Sequence, residues 1–496
     1  MKILILFLSI RLVFGSDIVV SNIEKCAEMA KYYIETHNVT TAELAIIVST
    51  CEGVKGPCGS GLGGGFQATI YNGNCNKTLY LNARERAPTQ YDPNDTRAVA
   101  YIGVPSTLKG YEYLYKMNMC GTHPVLPWKD LFTKNIKFAE ELSEATLAQT
   151  LRRIADEGPV SSLYKKDGYL HKKMVADLTE VNSHVKSSDI LGYTVKTLKP
   201  FRHTCLSYKV ATTRIPGSGS TFILGCKIVT AALPKLYNLS PEKRFLFMYH
   251  TLRYMYSLKP YLRSKHVDIG EIFDNSELIA KSILRKIDKP WTKKTITQFG
   301  NYTMRINPPR HRRKVGTANM VMKRGKYAIS LTATINYGCG SGLKSPRLGF
   351  YYNNQLRDFD DSETPNRPAG QKNPQSAISA TVLYSKRNNP VFQIGSAGGS
   401  YIIGSIFNTF YNYFVNNMTL VNANKAGRCL PLYNGHDETL RCESTVSENI
   451  KSIFKGFGFS ESFNSKSGQV TACSTARKKP EAAFDHRRGG GIYIKN

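Results

Sequence analysis

The stretch "HRRKVGTANMVMKRGKYAISLTATIN", residues 311–336, decides how the chain is read. Basic residues run into a Val-Gly step and a threonine, and the texture then changes to two strand-like segments. Three readings stand open at this junction: a nucleic-acid patch, a processing site, or the setting of a reactive threonine. With a two-residue turn at Arg324-Gly325, Thr317 falls opposite Thr332, and Thr334 projects from the same face diagonally across. Two threonine hydroxyls then approach each other.

Working outward, 496 residues exceed what one small hydrophobic core supports, so the chain is expected to form several domains or one large layered globule. With 41% hydrophobic and 21% charged residues, composition excludes wholesale disorder. The formal charge of +30 is the outlier, but lysines and arginines are dispersed along the whole chain. That pattern reads as a solvated cationic surface rather than a nucleic-acid stripe, and no nucleic-acid partner is expected.

The opening "MKILILFLSIRLVFGS" has a lysine, a short apolar run and small residues at Gly15 and Ser16, the layout of a secretory leader over residues 1–15. Arg11 interrupts the run, and no stretch supplies the ~20 apolar residues that cross a bilayer. A secreted, extracellular chain without a stable membrane anchor is expected, with a signal anchor as the alternative. Six Asn-X-Ser/Thr sequons, at Asn38, Asn76, Asn94, Asn238, Asn301 and Asn417, fit that compartment as glycosylation sites. Eleven cysteines there imply a few disulfides and at least one unpaired thiol. With neither Cys-x-x-Cys nor His-Glu-x-x-His, no metal site is expected.

"CGSGLGGGFQATIYNGNCNKTLYLNARERAP" (58–88) reads as a glycine loop and a hairpin. "PWKDLFTKNIKFAEEL", "LAQTLRRIADEG" and "KRFLFMYHTLRYMYSLKPYL" read as surface helices. "DFDDSETPNRPAGQKNPQ" (358–375) reads as a loop long enough to serve as a lid. "VFQIGSAGGSYIIGSIFNTFYNYF" reads as strand, glycine turn and helix, a natural anion binder at its turn. Gly59, Gly61 and Gly64 satisfy G-x-G-x-x-G, but a strand follows them, so a dinucleotide site is rejected. "IPGSGST" (215–221) lacks the lysine of a phosphate loop and is rejected likewise.

In order along the chain, "GLGGGFQATIY", "LNARERAP", "VPSTLKGYEYLYK", "LPWKDLFTKNIKFAEE", "GTANM", "LTATIN", "SPRLGFYYNNQLRDF", "GSAGGS" and "AFDHRRGGG" resemble the gamma-glutamyltransferases over essentially all of the mature chain. The resemblance implies an α/β N-terminal-nucleophile hydrolase, an αββα four-layer sandwich formed jointly by two chains from one precursor. Carried over by position, cleavage between Gly316 and Thr317 yields a large subunit, 16–316, and a small subunit, 317–496, in a heterodimer. Thr317 becomes nucleophile with its own α-amine as general base, and Thr334 tunes it.

Arg84 then holds the substrate α-carboxylate with Ser376, and Asn336, Gln355 and Asp358 hold the α-amine. The N–H groups of Gly398 and Gly399 face the oxyanion. The implied substrates are glutathione and other γ-glutamyl compounds, with water, amino acids or dipeptides as acceptors and no cofactor. The resemblance also pairs Cys26 with Cys51, and the family includes soluble venom members. Cys339 has no adjacent histidine to activate it and is not read as catalytic.

Three positions depart from the family pattern. Ala377 stands where a second serine commonly binds the carboxylate, Asn319 where a histidine is usual, and Gln355 where some members have glutamate. The segment between "FAEEL" and "TLAQTLRRIADEG" is also short for the family. These departures define the alternative, a secreted and catalytically weak or inactive relative that acts as a binding protein. A convertase cut in the basic run 310–314 is secondary, because it leaves Thr317 without a free amine.

Overall fold

In the computed structural model, residues 15–495 are described except 264–265, 267, 288, 290–295, 300–301, 306–314, 361–363, 434–437 and 460–466. Nearly all of the expected leader, the basic run and Asn301 lie outside the described residues.

Two antiparallel sheets stack face to face. The first runs Gly491–Lys495, Asp17–Ser21, Val315–Arg324, Tyr327–Tyr337, Gly65–Asn72, Lys77–Ala83, Lys196–Leu198. The second runs Glu481–Ala483, Gln469–Ser474, Pro390–Ala397, Thr381–Tyr384, Tyr208–Thr212, Phe201–Cys205. Small and aromatic side chains fill the space between them, including Val20, Val321 and Cys473 at one end and Tyr71 stacked on Tyr384, ring centroids 4.1 Å apart, at the other.

Each outer face carries its own core. Helices Glu24–His37, Thr41–Lys55, Thr107–Lys116 and Ala145–Glu157 cover the first sheet. Gly219–Leu236, Pro241–Leu258 and Tyr401–Phe414 cover the second. The result is αββα, four layers, as the resemblance implies.

The central strands show why sheet faces sort this way. Every residue of Tyr327–Ile335 is buried, since alternate side chains enter the intersheet layer and the helical layer. In Tyr401–Phe414 twelve of the fourteen residues are buried, isoleucines and phenylalanines among them. Fully burying such a side chain contributes about 1.5–3 kcal/mol, so this helix is a core element that fixes whatever precedes it.

Three expectations are corrected. The hairpin turns at Gly325-Lys326, not Arg324-Gly325, because Gly325 takes the left-handed position (φ +52°) that the first turn residue needs and Arg324 pairs with Tyr327. Pro241–Leu258 is no surface helix: twelve of its residues are buried, packed against Gly219–Leu236, Tyr401–Phe414 and the strand Cys429–Tyr433. The loop 358–375 is tied down, with Ala87 N–H on the Lys372 carbonyl, Gln371 N–H on the Ala87 carbonyl and Asn373 Nδ2 on the carbonyls of Arg84 and Glu85. Those described residues form a wall rather than a free lid.

Candidate active site

The corrected register puts Thr317 directly opposite Thr334. Their hydroxyl oxygens are 3.1 Å apart, and both residues are almost wholly buried. Thr334 Oγ1 also donates to the Gly316 carbonyl at 2.6 Å and accepts from Asn336 N–H at 2.8 Å. With its single proton on Gly316 O, Thr334 Oγ1 is left to accept from the Thr317 hydroxyl. A bulge between Thr334 and Asn336 permits this, since Ile335 is skipped in the pairing and Asn336 swings to φ +78°.

Gly316 is required by space. A Cβ there would lie 2.3 Å from the Cys58 carbonyl oxygen and 2.9 Å from that of Tyr337. The glycine loop rejected as a nucleotide fingerprint is what comes so close: Gly59 O accepts from Ile335 N–H, and a Cβ on Gly64 would lie 2.2 Å from Thr334 O. Beneath the hairpin, Asn319 is completely buried and saturated. Its Nδ2 donates to Leu331 O and Thr332 Oγ1, its N–H to Asn22 Oδ1, and its Oδ1 accepts from Thr471.

The far wall is built from distant segments. Arg84, 1% exposed, donates through Nε to the Pro374 carbonyl and through Nη2 to Asp358 Oδ2 at 2.8 Å and the Gln375 carbonyl. Asp358, its side chain still 24% exposed, also accepts from Gln355 Nε2 at 2.7 Å. Gln355 Oε1 is buried without a hydrogen-bond partner. Asn336 Nδ2 donates to Asn354 O, beside Gln355. Ser376 follows the segment Arg84 grips, its N–H on the Pro216 carbonyl and its own carbonyl accepting from Ser218 Oγ. The loop "IPGSGST" thus positions Ser376.

Gly398 and Gly399, at φ +131° and +56°, connect Pro390–Ala397 to the buried helix Tyr401–Phe414. Ala397 pairs with Gln469, whose Oε1 accepts from Arg488, and Arg488 Nη1 donates to the Thr317 carbonyl at 2.5 Å. The glycine turn therefore opens at the Thr317 end of the sheets.

Four groups escaped the sequence reading. Arg488 is aimed by the turn at Asp485, whose carbonyl accepts from Arg488 and Gly489 N–H and whose carboxylate pairs with Arg428 and Arg487. Its motif was visible in "AFDHRRGGG"; its reach to Thr317 was not. Lys259 and Arg263 stand near Arg84: burial lowers the Lys259 pKa against the pull of Asp358 and Asp360, and burial with Arg84 lowers that of Arg263 to about 10. Glu85, completely buried beside Arg84, is pushed up to about 7 by burial, Arg84 opposing. Burial likewise raises the Asp358 pKa, against the pull of Arg84 and Lys259. Three basic side chains, Arg84, Lys259 and Arg263, gather at this wall, a setting that suits a ligand carboxylate.

Layering and site together define the class, an N-terminal-nucleophile hydrolase fold. A crystal structure of cephalosporin acylase from Bacillus halodurans covers 97% of this chain and 96% of its own, with TM-score 0.78 and 16% identity, a likeness of fold. The gamma-glutamyltranspeptidase family model matches residues 38–141 and 140–494, and the chain belongs to that family of enzymes.

Among relatives, a glutathione hydrolase proenzyme of Bacillus subtilis is 25% identical over 84% of this chain and 80% of its own. Glutathione hydrolase 5 proenzyme of Mus musculus is 26% identical over 78% and 76%. Scoloptoxin SSD14 of Scolopendra dehaani is 24% identical over 79% and 78%.

Cys26 and Cys51 are bonded, and the other bridges are Cys58–Cys339, Cys75–Cys120, Cys205–Cys226 and Cys429–Cys442, with Cys473 free and buried. Among the sequons, Asn38, Asn94, Asn238 and Asn417 are exposed and Asn76 is half-buried. Among the described residues no helix is long and apolar enough to cross a membrane.

Proposed function

We propose that the chain is a secreted precursor that cuts itself between Gly316 and Thr317 and then transfers or hydrolyses γ-glutamyl groups of glutathione and its conjugates. The observation that carries this reading is the Thr317, Thr334, Gly316 triangle, with one hydroxyl beside the nucleophile and hydrogen-bonded to the scissile carbonyl. In the precursor, Thr317 Oγ1 attacks the Gly316 carbonyl carbon while Thr334 stabilises the developing oxyanion. The C–N bond breaks, the acyl group moves to Thr317 Oγ1 as an ester, and water releases the Gly316 carboxyl group. The Thr317 α-amine is now free.

An α-amine has an ordinary pKa of about 7.7–8.0, so part of it is unprotonated at neutral pH and can take the hydroxyl proton. Thr317 Oγ1 then attacks the γ-carbonyl of the donor, and the amine of the departing fragment leaves as the acyl ester forms. Water or the amine of an amino acid or dipeptide resolves it. Gly398 and Gly399 N–H groups serve as oxyanion donors, each worth about 3 kcal/mol in the transition state. Arg84 and Ser376 take the α-carboxylate; Asp358, Asn336 and the Gln355 Oε1 atom take the α-ammonium. The substrate ammonium supplies the donor that the buried Gln355 oxygen lacks.

Ala377 leaves one hydrogen bond fewer to the carboxylate, a loss of about 1–3 kcal/mol in binding with the chemistry intact. Asn319 is supported as a structural residue, since its whole amide is consumed within the sheets. The leader at 1–15, the subunits 16–316 and 317–496 and the glycosylated asparagines complete the proposal.

The test expresses the full chain with its leader, sequences the N-terminus of any smaller fragment, and assays a chromogenic γ-glutamyl amide beside Thr317→Ala. Expected are a fragment beginning at Thr317 and turnover that Thr317→Ala lowers by about four orders of magnitude or more. A single uncut chain without turnover would end the reading.

A further inference from the structure

Of the five disulfides, four join cysteines on the same side of Gly316-Thr317; Cys58–Cys339 alone spans it, over a sequence separation of 281 residues. All eleven cysteines lie among the described residues, so no other bridge has this property. We propose that Cys58–Cys339 is an inter-subunit disulfide, so that the mature enzyme is a covalent heterodimer rather than two chains held by packing. The proposal rests on cleavage at Gly316-Thr317, as read above.

The surroundings give the bridge a particular task. Cys339 N–H donates to the Cys58 carbonyl at 3.1 Å, so the two backbones are also held directly. The same Cys58 carbonyl is the atom against which a side chain at residue 316 would collide, with the Tyr337 carbonyl on the other side. The bridge therefore straddles the scissile residue. One position along, Gly59 O accepts from Ile335 N–H in the bulge that shapes Thr334 and Asn336.

Before cleavage the peptide bond itself keeps Gly316 beside Thr317. Afterwards the peptide bond no longer does so, Gly316 is a new chain end carrying a carboxylate, and the main chain holds it only through the ladder pairs Gly316 with Asn336 and Val315 with Tyr337. The bridge then keeps the Gly56–Ser60 turn of the large subunit over the bulge of the small one, and both cysteines remain only half-buried. Formation takes two protons and two electrons from the thiols and gives them to a disulfide donor, R–S–S–R, which leaves as two thiols. An oxidising secretory compartment supplies such donors.

A covalent tie changes the thermodynamics as well as the gel pattern. Two unlinked chains dissociate on unfolding, so their midpoint rises with protein concentration by mass action. Linked chains unfold as one molecule, and the midpoint stays constant.

The experiment runs the purified, alkylated protein denatured with and without reductant, beside the double variant Cys58→Ser, Cys339→Ser. Expected is one band at the size of the leaderless precursor without reductant, two bands with it, and two bands in both lanes for the variant. The thermal midpoint of the native protein should not move over a hundred-fold range of concentration, whereas that of the variant should rise. Two bands without reductant in the native protein would overturn the bridge while leaving cleavage intact. One band in both lanes would instead mean that cleavage has failed. Peptide mapping of that uncut chain then decides the pairing: a linked Cys58–Cys339 peptide supports it, and its absence overturns it.

Discussion

The Thr317–Thr334 hairpin and the cationic wall around Arg84 are assembled in opposite ways. Thr317 and Thr334 lie 17 residues apart and meet through a two-residue turn and a continuous ladder. Arg84 meets Asp358 across 274 residues and the Pro374 carbonyl across 290. Around Thr317 and Thr334 the hairpin carries no charged side chain and is hydrogen-bonded and buried between the layers, so its precision there comes from backbone register. The wall holds buried ionisable groups, so its geometry depends on ion pairing that opposes the cost of burial, which a ligand carboxylate and ammonium would complete. A reaction centre tolerates no slack, whereas a recognition wall needs unsatisfied capacity.

Substitutions that act on one side only can break this contrast. The largest effect is expected from Thr334→Val, which keeps the shape but removes the donor to Gly316 O. Self-cleavage should slow about 10²–10³-fold, as for loss of an oxyanion donor, read as precursor persisting in a time course. Equal cleavage rates would mean that register alone suffices.

Next is Glu85→Gln. The folded carboxyl keeps its proton to about pH 7, whereas the unfolded chain releases it near its ordinary 4.5, so the folded state binds the extra proton between these values. The resulting stability is fully present below pH 4.5 and is lost as pH rises through 7, a swing of about 3 kcal/mol from this group. Denaturant titrations of Glu85→Gln should be flatter than those of the native protein across that window. An unchanged slope would place the proton elsewhere.

The smallest effect is expected from Arg84→Lys. It preserves charge but not the fork that holds Asp358, Pro374 O and Gln375 O together. A loss of about 2 kcal/mol, or roughly 30-fold in kcat/KM, should appear mostly as raised KM with cleavage unaffected. A matching loss of cleavage would show that the two walls are coupled.

Much of the site could be read from short-range pattern. "GTANM" and "LTATIN" mark the hairpin, and the direction of the error over its turn is instructive. Arg324-Gly325 and Gly325-Lys326 are equally natural two-residue turns in sequence, yet only the latter gives glycine the first turn position and sets Thr317 opposite Thr334. A one-residue choice at the turn moves every partner by two. The glycine loop could be recognised as unsuited to nucleotides, but its use, admitting the backbone of residues 58–64 against Gly316 and Thr334, needs the sheet to be present. Lys259 and Arg263 carried no local signal, since a lone basic side chain in a chain of net charge +30 is unremarked until burial singles it out, and Arg488, though inside "AFDHRRGGG", gave no sign of its reach to Thr317.

By itself, then, the sequence determined the kind of protein: the order of motifs, the Gly-Thr junction and the strand pair around it, because local propensity and alternation are written into neighbouring residues. Tertiary structure alone decided which hydroxyl faces which, which cysteines join across Gly316-Thr317, and which of 67 basic side chains form the pocket. Those outcomes depend on segments hundreds of residues apart arriving at one place, where burial makes a single charge or hydrogen bond matter.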